Sequence, residues 1–238
     1  MNLPKKCVFA FLGAYIDEYA SKSDTKQVST FESATKHYPI YITKYKGEDI
    51  VLCQAPVGAA AATQILDWLI GYGVREVISA GSCGALEKFP ESTFLVPNKA
   101  LRDEGTSYHY APPSRFVEIS EKARKAIEET ILEHSMKYQE VITWSTDGFF
   151  RETKEKVAYR KSEGCAVVEM ECSALAACAD FRGATWGIDI TTIGWCAFQG
   201  CTTLASIKLP ESVTTIEGKA FDVCSNMTLI EFPNSVAT

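Results

Sequence analysis

The sequence predicts an α/β fold carrying a short repeat at its C-terminal end, and three observations predict it. Apolar runs at 7–12 (CVFAFL) and 50–54 (IVLCQ) are followed by a helical pattern and then by VREVISAG, the strand, helix, strand order of a βαβ unit. Farther on, CAVVEM reads as a strand that turns straight into the helix ECSALAACADFR. After Ile188 the helix signal stops and the chain repeats on itself: Phe198 and Phe221, Cys201 and Cys224, Ile207 and Ile230, Pro210 and Pro233 are each 23 residues apart.

Each element has a local reason. Gly13 ends the first apolar run, and Pro56 and Gly58 lead from the second into AAAATQILDWLIGYG. There Ile65, Leu66, Leu69 and Ile70 fall at helical spacing and Gly73 supplies the stop. Parallel strands in such a unit are buried on both faces, and ligands bind in the loops at their carboxyl ends. The loop after VREVISA is GSCG. Ser120 caps EKARKAIEETILEH, and Thr153 caps KEKVAYRKSEG, which stops at Gly164. Glu171 sits where strand becomes helix. Its carboxylate either complements the helix dipole or faces a pair of ligand hydroxyls, for which it is a bidentate acceptor.

Composition narrows the function. With 238 residues, 46% of them apolar and 23% charged, the chain builds a sizeable core. A net charge of −6 opposes attraction to nucleic-acid backbones and anionic membranes. The nine cysteines are an odd number without a CxxC pair, so they read as reduced, buried thiols rather than metal ligands or a disulfide framework. Lys5 and Lys6 precede an apolar run that Asp17 and Glu18 cut short, too short for a membrane span. The run is expected to be a buried first strand and the protein to be cytoplasmic.

The order GVREVISAGSCGAL, LRDEGTSYHY, TWSTDGFFRETKEK, VVEMECSALAACADFRGA resembles the purine and uridine nucleoside phosphorylase family over about residues 7–184. The resemblance implies a three-layer α/β/α fold with a mixed central sheet, assembled as a homo-oligomer. It also implies cleavage of a nucleoside's N-glycosidic bond by inorganic phosphate, with no metal and no organic cofactor. Carried over by position, Ser82 with Gly13 and Lys36 would hold phosphate. Cys83, Gly84, Phe149, Met170 and Glu171 would hold the nucleoside, Glu171 at the ribose.

Departures from the family pattern matter as much. Ser79 stands where the family has an Arg, and from Gly13 the chain reads GAYID where GDPxR is usual, so two guanidinium groups are missing from their places. Arg102 is a candidate to supply charge from another loop, and weak phosphate binding would let water replace it, as in nucleosidases of the same superfamily. RETKEK lacks the Gln-x-Arg spacing that resembles uracil recognition, which favours a purine. Tyr108 and His109 read as substrate contacts or, more simply, as loop anchors.

The 23-residue repeat resembles the BspA type of leucine-rich repeat. The expected division is a phosphorylase-like body at 1–184 and a segment of about two repeats at 188–238, offering a surface to a protein partner. The repeats occupy the place where the family would continue with a core strand and an Asp-bearing loop that protonates the departing base. Asp189 is the nearest acidic residue, but its context does not match that motif and no role passes to it. Catalysis impaired by loss of the acid is therefore expected, with a non-catalytic nucleoside-binding or interaction module, or a hydrolytic nucleosidase, as the alternatives.

Overall fold

The computed structural model describes residues 2–22, 24–90, 93–191, 206–208 and 228–231. In chain order the first half comprises β1 (Lys6–Ala10), α1 (Tyr15–Lys22), β2 (Lys26–Glu32), β3 (His37–Tyr45), β4 (Glu48–Gln54), α2 (Ala59–Gly71), β5 (Glu76–Ser82), β6 (Gly84–Ala85), β7 (Thr93–Asp103) and β8 (Phe116–Glu118). There follow α3 (Glu121–Glu133), β9 (Lys137–Thr146), α4 (Lys154–Ser162), β10 (Cys165–Glu169), α5 (Cys172–Phe181), β11 (Thr185–Thr191), β12 (Ser206–Lys208) and β13 (Leu229–Glu231). Short 3-10 turns lie at Thr106–His109 and Phe149–Arg151.

The caps expected from sequence are in place: Ser120 Oγ accepts from Ala123 N, Thr153 Oγ1 accepts from Lys156 N, and Gly73 and Gly164 take positive φ after their helices. The first apolar run is indeed a buried strand, β1, between β4 and β5. All six described cysteines, Cys7, Cys53, Cys83, Cys165, Cys172 and Cys178, are free and buried. Among the described residues no helix is long and apolar enough to cross a membrane.

One mixed sheet organises the body, in the order β2-β3-β4-β1-β5-β11-β7-β9-β10-β6 with β8 on β7. β4, β1, β5 and β11 run parallel, so their carboxyl ends share an edge. The sheet cannot be flat. β10 lies four strand spacings from β5, about 19 Å at the usual interstrand distance. Yet β6, which pairs with β10, follows β5 after the single residue Cys83, a link that reaches only about 7 Å. The β5–β10 section must therefore curl until β10 returns to β5, which brings the end of β10 to the ends of β4 and β1.

Helices cover both faces. Ile65, Leu66, Leu69 of α2 and Leu175, Cys178 of α5 bury one face with Cys7, Phe9, Val77, Trp186, Ile188 and Ile190. On the other face Ile16 of α1 meets Ala10 and Leu52, and Ile127 and Ile131 of α3 meet Val96 and Ile78. The expected three layers are present.

Strand β11 extends the body to Thr191, beyond the 184 boundary read from sequence, and occupies the sheet centre between β5 and β7. The expected loss of a core strand is corrected: Ile188 and Ile190 alternate as an ordinary strand, a pattern that a repeat strand shares. In the repeat segment β12 and β13 pair parallel with Ser206 opposite Leu229, Ile207 opposite Ile230 and Lys208 opposite Glu231, the register that the 23-residue spacing demands.

Gly187 on β11 is where α3 seats. An added Cβ would lie 2.7 Å from Ala123 Cβ and 3.3 Å from Ile127 Cδ1. Gly187→Ala is expected to lift α3 and to cost roughly 1–3 kcal/mol in denaturant titration; an unchanged midpoint would contradict this packing.

Candidate active site

The site grows from the turn between β10 and α5. Every residue of β10 is buried, including Glu169. A carboxylate there needs hydrogen bonds, and Glu169 accepts four. Thr143 Oγ1 and Ser145 Oγ donate to Oε1 at 3.0 and 2.6 Å, and the backbone N–H groups of Glu171 and Cys172 donate to Oε2, each at 2.6 Å. Glu169 thus takes the place of an N-cap for α5. The network continues: Ser173 N donates to Ser145 Oγ at 2.9 Å, and Ser173 Oγ donates to Glu104 Oε1 at 2.8 Å. Glu104 Oε2 accepts from Thr106 N and Ser107 N, which fixes the loop after β7.

Glu171, the residue expected at the ribose, makes no side-chain cap bond to its own helix. Its Oε1 instead accepts the N–H of Gly58, at the N-cap of α2, at 2.5 Å, while Oε2 accepts from Met170 N at 3.3 Å. The carboxylate thus joins the N-termini of two helices, at the N-cap of α5 and bonded to the N-cap of α2. Gly58 has φ +101°, a conformation that favours glycine. Burial, then the neighbouring Glu169 charge, pushes the Glu171 carboxyl up to about 8 despite these two N–H donors. Met170 is half-buried beside it. Phe149 is 45% exposed and stacks on Phe150 at 4.0 Å between centroids, so it is an open aromatic rather than core.

The residues expected to hold phosphate gather elsewhere on the same edge. Gly13 (φ +54°) follows β1, Ser82 ends β5, and Lys36 reaches Gln54 Oε1, at the end of β4, at 3.2 Å. β4, β1 and β5 are neighbours, so the structure does bring these three strand ends together. The GSCG stretch is less of a loop than expected, since Ser82 and Gly84 both belong to strands. Cys83 N donates to Thr191 O, and burial pushes its thiol up to about 12. Gly84 has no room for a side chain, because a Cβ would meet Val168 Cγ1 at 2.8 Å.

Arg102 is a correction. It is fully buried and donates to Ser107 Oγ, Ser114 Oγ and the carbonyls of Ala111 and Pro112, with its guanidinium 4.0 Å from the Tyr108 ring centroid. It pins its own loop and has no charge to lend. Tyr108 is accordingly a loop anchor, and His109 is exposed. Ser79 is sealed too, accepting from Trp186 Nε1 at 3.0 Å where a guanidinium would have to fit. Asp17 accepts from Tyr41 OH. Of the remaining arginines, Arg75 bonds the Ile70 and Val74 carbonyls, and Arg115, Arg124, Arg160 and Arg182 pair with Glu163, Glu140, Asp103 and Asp67. Arg151 lies exposed on the Phe149 turn. Among the described residues no group of three or more His, Cys, Asp or Glu could hold a metal ion.

Comparison with known proteins identifies the family. Residues 5–195 match the family model of the Phosphorylase superfamily, and 168–238 match that of the BspA type leucine rich repeat region. The chain is 30% identical over 158 residues to a 5'-methylthioadenosine/S-adenosylhomocysteine nucleosidase of Buchnera aphidicola, covering 61% of this chain and 67% of that one. It is 24% identical over 180 residues to a guanosine phosphorylase of Halorubrum lacusprofundi, covering 75% and 73%. Its fold matches the uridine phosphorylase of Vibrio fischeri ES114 with a TM-score of 0.70 at 23% identity, over 81% of this chain and 80% of that one. The chain belongs to the phosphorylase superfamily, which includes both phosphorylases and nucleosidases.

Glu171 links the site to stability. A carboxyl raised from 4.5 unfolded to about 8 folded stabilises the protein fully below the lower value, and that contribution is lost as pH climbs to the higher one. Between about pH 5 and about pH 8.5, the unliganded protein should lose more unfolding free energy than Glu171→Gln, measured by denaturant titration. Equal losses would show that Glu171 is ionised throughout.

Proposed function

We propose that the protein cleaves the N-glycosidic bond of a nucleoside, with a purine base favoured. The observation that carries this reading is Glu171, a desolvated carboxyl fixed by the N-terminus of α2 and flanked by Met170, on the edge to which Phe149's turn also belongs. A carboxylate so placed accepts the two ribose hydroxyls, while the open aromatic supplies a face for the base.

Water is the acceptor that the charges favour. Phosphate asks for guanidinium groups, and six of the seven arginines are spent on backbone, hydroxyl or carboxylate partners, Arg102 among them, while Ser79 and Asp17, in the family's two arginine places, bond Trp186 and Tyr41. The similarity to a nucleosidase points the same way. Phosphorolysis is the second reading, favoured by the convergence of Gly13, Ser82 and Lys36 on adjacent strand ends. The expected loss of the family's Asp-bearing loop concerns residues beyond Thr191, which lie outside the described ones.

Two measurements test the proposal. Glu171→Gln should lose on the order of 1.5–3 kcal/mol of nucleoside binding by calorimetry; unchanged affinity in a folded variant would sink the ribose assignment. Base release from inosine, with and without phosphate, should proceed without it and yield free ribose. Strict phosphate dependence with sugar 1-phosphate as product would establish the second reading.

A further inference from the structure

Asp189 is a carboxylate that the site described so far does not use. It lies near the carboxyl end of β11, opposite Ala80 of β5. Alternation along β11 fixes its face: Trp186, Ile188 and Ile190 point into the α2/α5 core, while Gly187 packs against Ala123 of α3. Asp189 therefore points to the α1/α3 side. On β5, Val77 faces α2/α5 and Ala80 belongs with Ala10, Ile16 and Leu52 on the α1 side, so Ser82, two residues on, shares the face of Asp189. Thr191 pairs with Ser82, which makes Asp189 and Ser82 diagonal neighbours on paired strands. Diagonal Cβ atoms stand roughly 7 Å apart, a gap that one water bridges with two hydrogen bonds.

Its chemistry suits a base. No side chain among the described residues hydrogen-bonds its carboxylate, whereas Glu104, Asp147, Glu169 and Glu171 are all engaged. Burial pushes its carboxyl up to about 6, with its own amide N–H opposing the rise. A dianionic phosphate beside such a group would be repelled, and a neutral water would not.

Resting on the reading of the protein as a nucleoside-cleaving enzyme, we propose that Asp189 is the catalytic base that activates water beside Ser82, so that this strand end selects hydrolysis. A water proton passes to the Asp189 carboxylate as the water oxygen bonds to C1′ of the ribose. The C1′–N bond breaks and its electron pair leaves with the base. The proton on Asp189 returns to solvent and the base takes one up, so that nucleoside and water give ribose and free base.

The test uses the full chain and inosine in buffer without and with added phosphate, with free ribose and ribose 1-phosphate both quantified. Asp189→Asn is expected to lower kcat by about 10²–10⁴-fold with little change in KM, as for loss of a positioned base, without lowering the melting temperature. A folded Asp189→Asn that releases ribose at the parent rate overturns the assignment. If that variant does not fold, Asp189→Glu, which keeps the charge and displaces it by one methylene, should lower kcat about tenfold; an unchanged kcat there overturns it equally. A parent protein that yields ribose 1-phosphate alone overturns the role of Asp189 while leaving nucleoside cleavage standing. A parent that releases no base either with or without phosphate overturns the cleavage reading itself, and the role of Asp189 with it.

Discussion

Glu169 accepts four hydrogen bonds at the end of a strand buried on both faces, and the carboxyl edge of this protein depends on them. Two come from β9 and two from the first N–H groups of α5, so one buried side chain ties strand, neighbouring strand and helix. Through Ser145, Ser173 and Glu104 the same polar chain reaches the loop after β7. A buried network of this kind rigidifies only when fully satisfied, and here each carboxylate oxygen has a donor. It also sets the electrostatics of the site. With Glu169 filling the N-terminus of α5, Glu171 turns away from its own helix, meets α2 at Gly58, and is held beside a like charge that raises its proton affinity.

Curling of the sheet makes that meeting possible. The single residue between β5 and β6 forces β10 back toward β5, so the helix that follows β10 starts beside the helix that follows β4. Two groups of side chains then lie on one edge: the Glu171 carboxyl on the α2/α5 side, and the strand ends bearing Ser82, Gly13 and Asp189 on the α1/α3 side. Six of the seven arginines are held by partners elsewhere. Arg102 is the clearest case, a buried guanidinium whose donors go to two carbonyls and two hydroxyls of one loop.

What could be read in the sequence was local. Ser120, Thr153, Gly73 and Gly164 bound their helices through contacts within a few residues, and the 23-residue spacing specified the β12–β13 register. Glu171 stood out because it falls at a strand-to-helix turn. Glu169 did not, although a carboxylate inside the apolar run CAVVE signals buried partners; those partners, Thr143 and Ser145, come from a strand that no periodicity singled out. Arg102 and Ser79 were opaque for the same reason, since their partners are set by folding. β11 falls outside the 1–184 body and partly within the 188–238 repeat of the sequence reading because alternating Ile188 and Ile190 suit either architecture, and only its pairing with β5 decides. Asp189 gained meaning only once that pairing placed it beside Ser82.

Burial and the Glu169 charge raise the proton affinity of Glu171 in the joint of two helices, and under the proposed function the ribose hydroxyls it accepts would ionise it. Calorimetric titration of nucleoside into the protein near pH 7, repeated in buffers of different ionisation enthalpy, counts protons exchanged on binding. Release approaching one proton per nucleoside, abolished in Glu171→Gln, is the expected result. Binding with no proton exchanged would mean that the carboxyl is already charged, or that the ribose does not meet it.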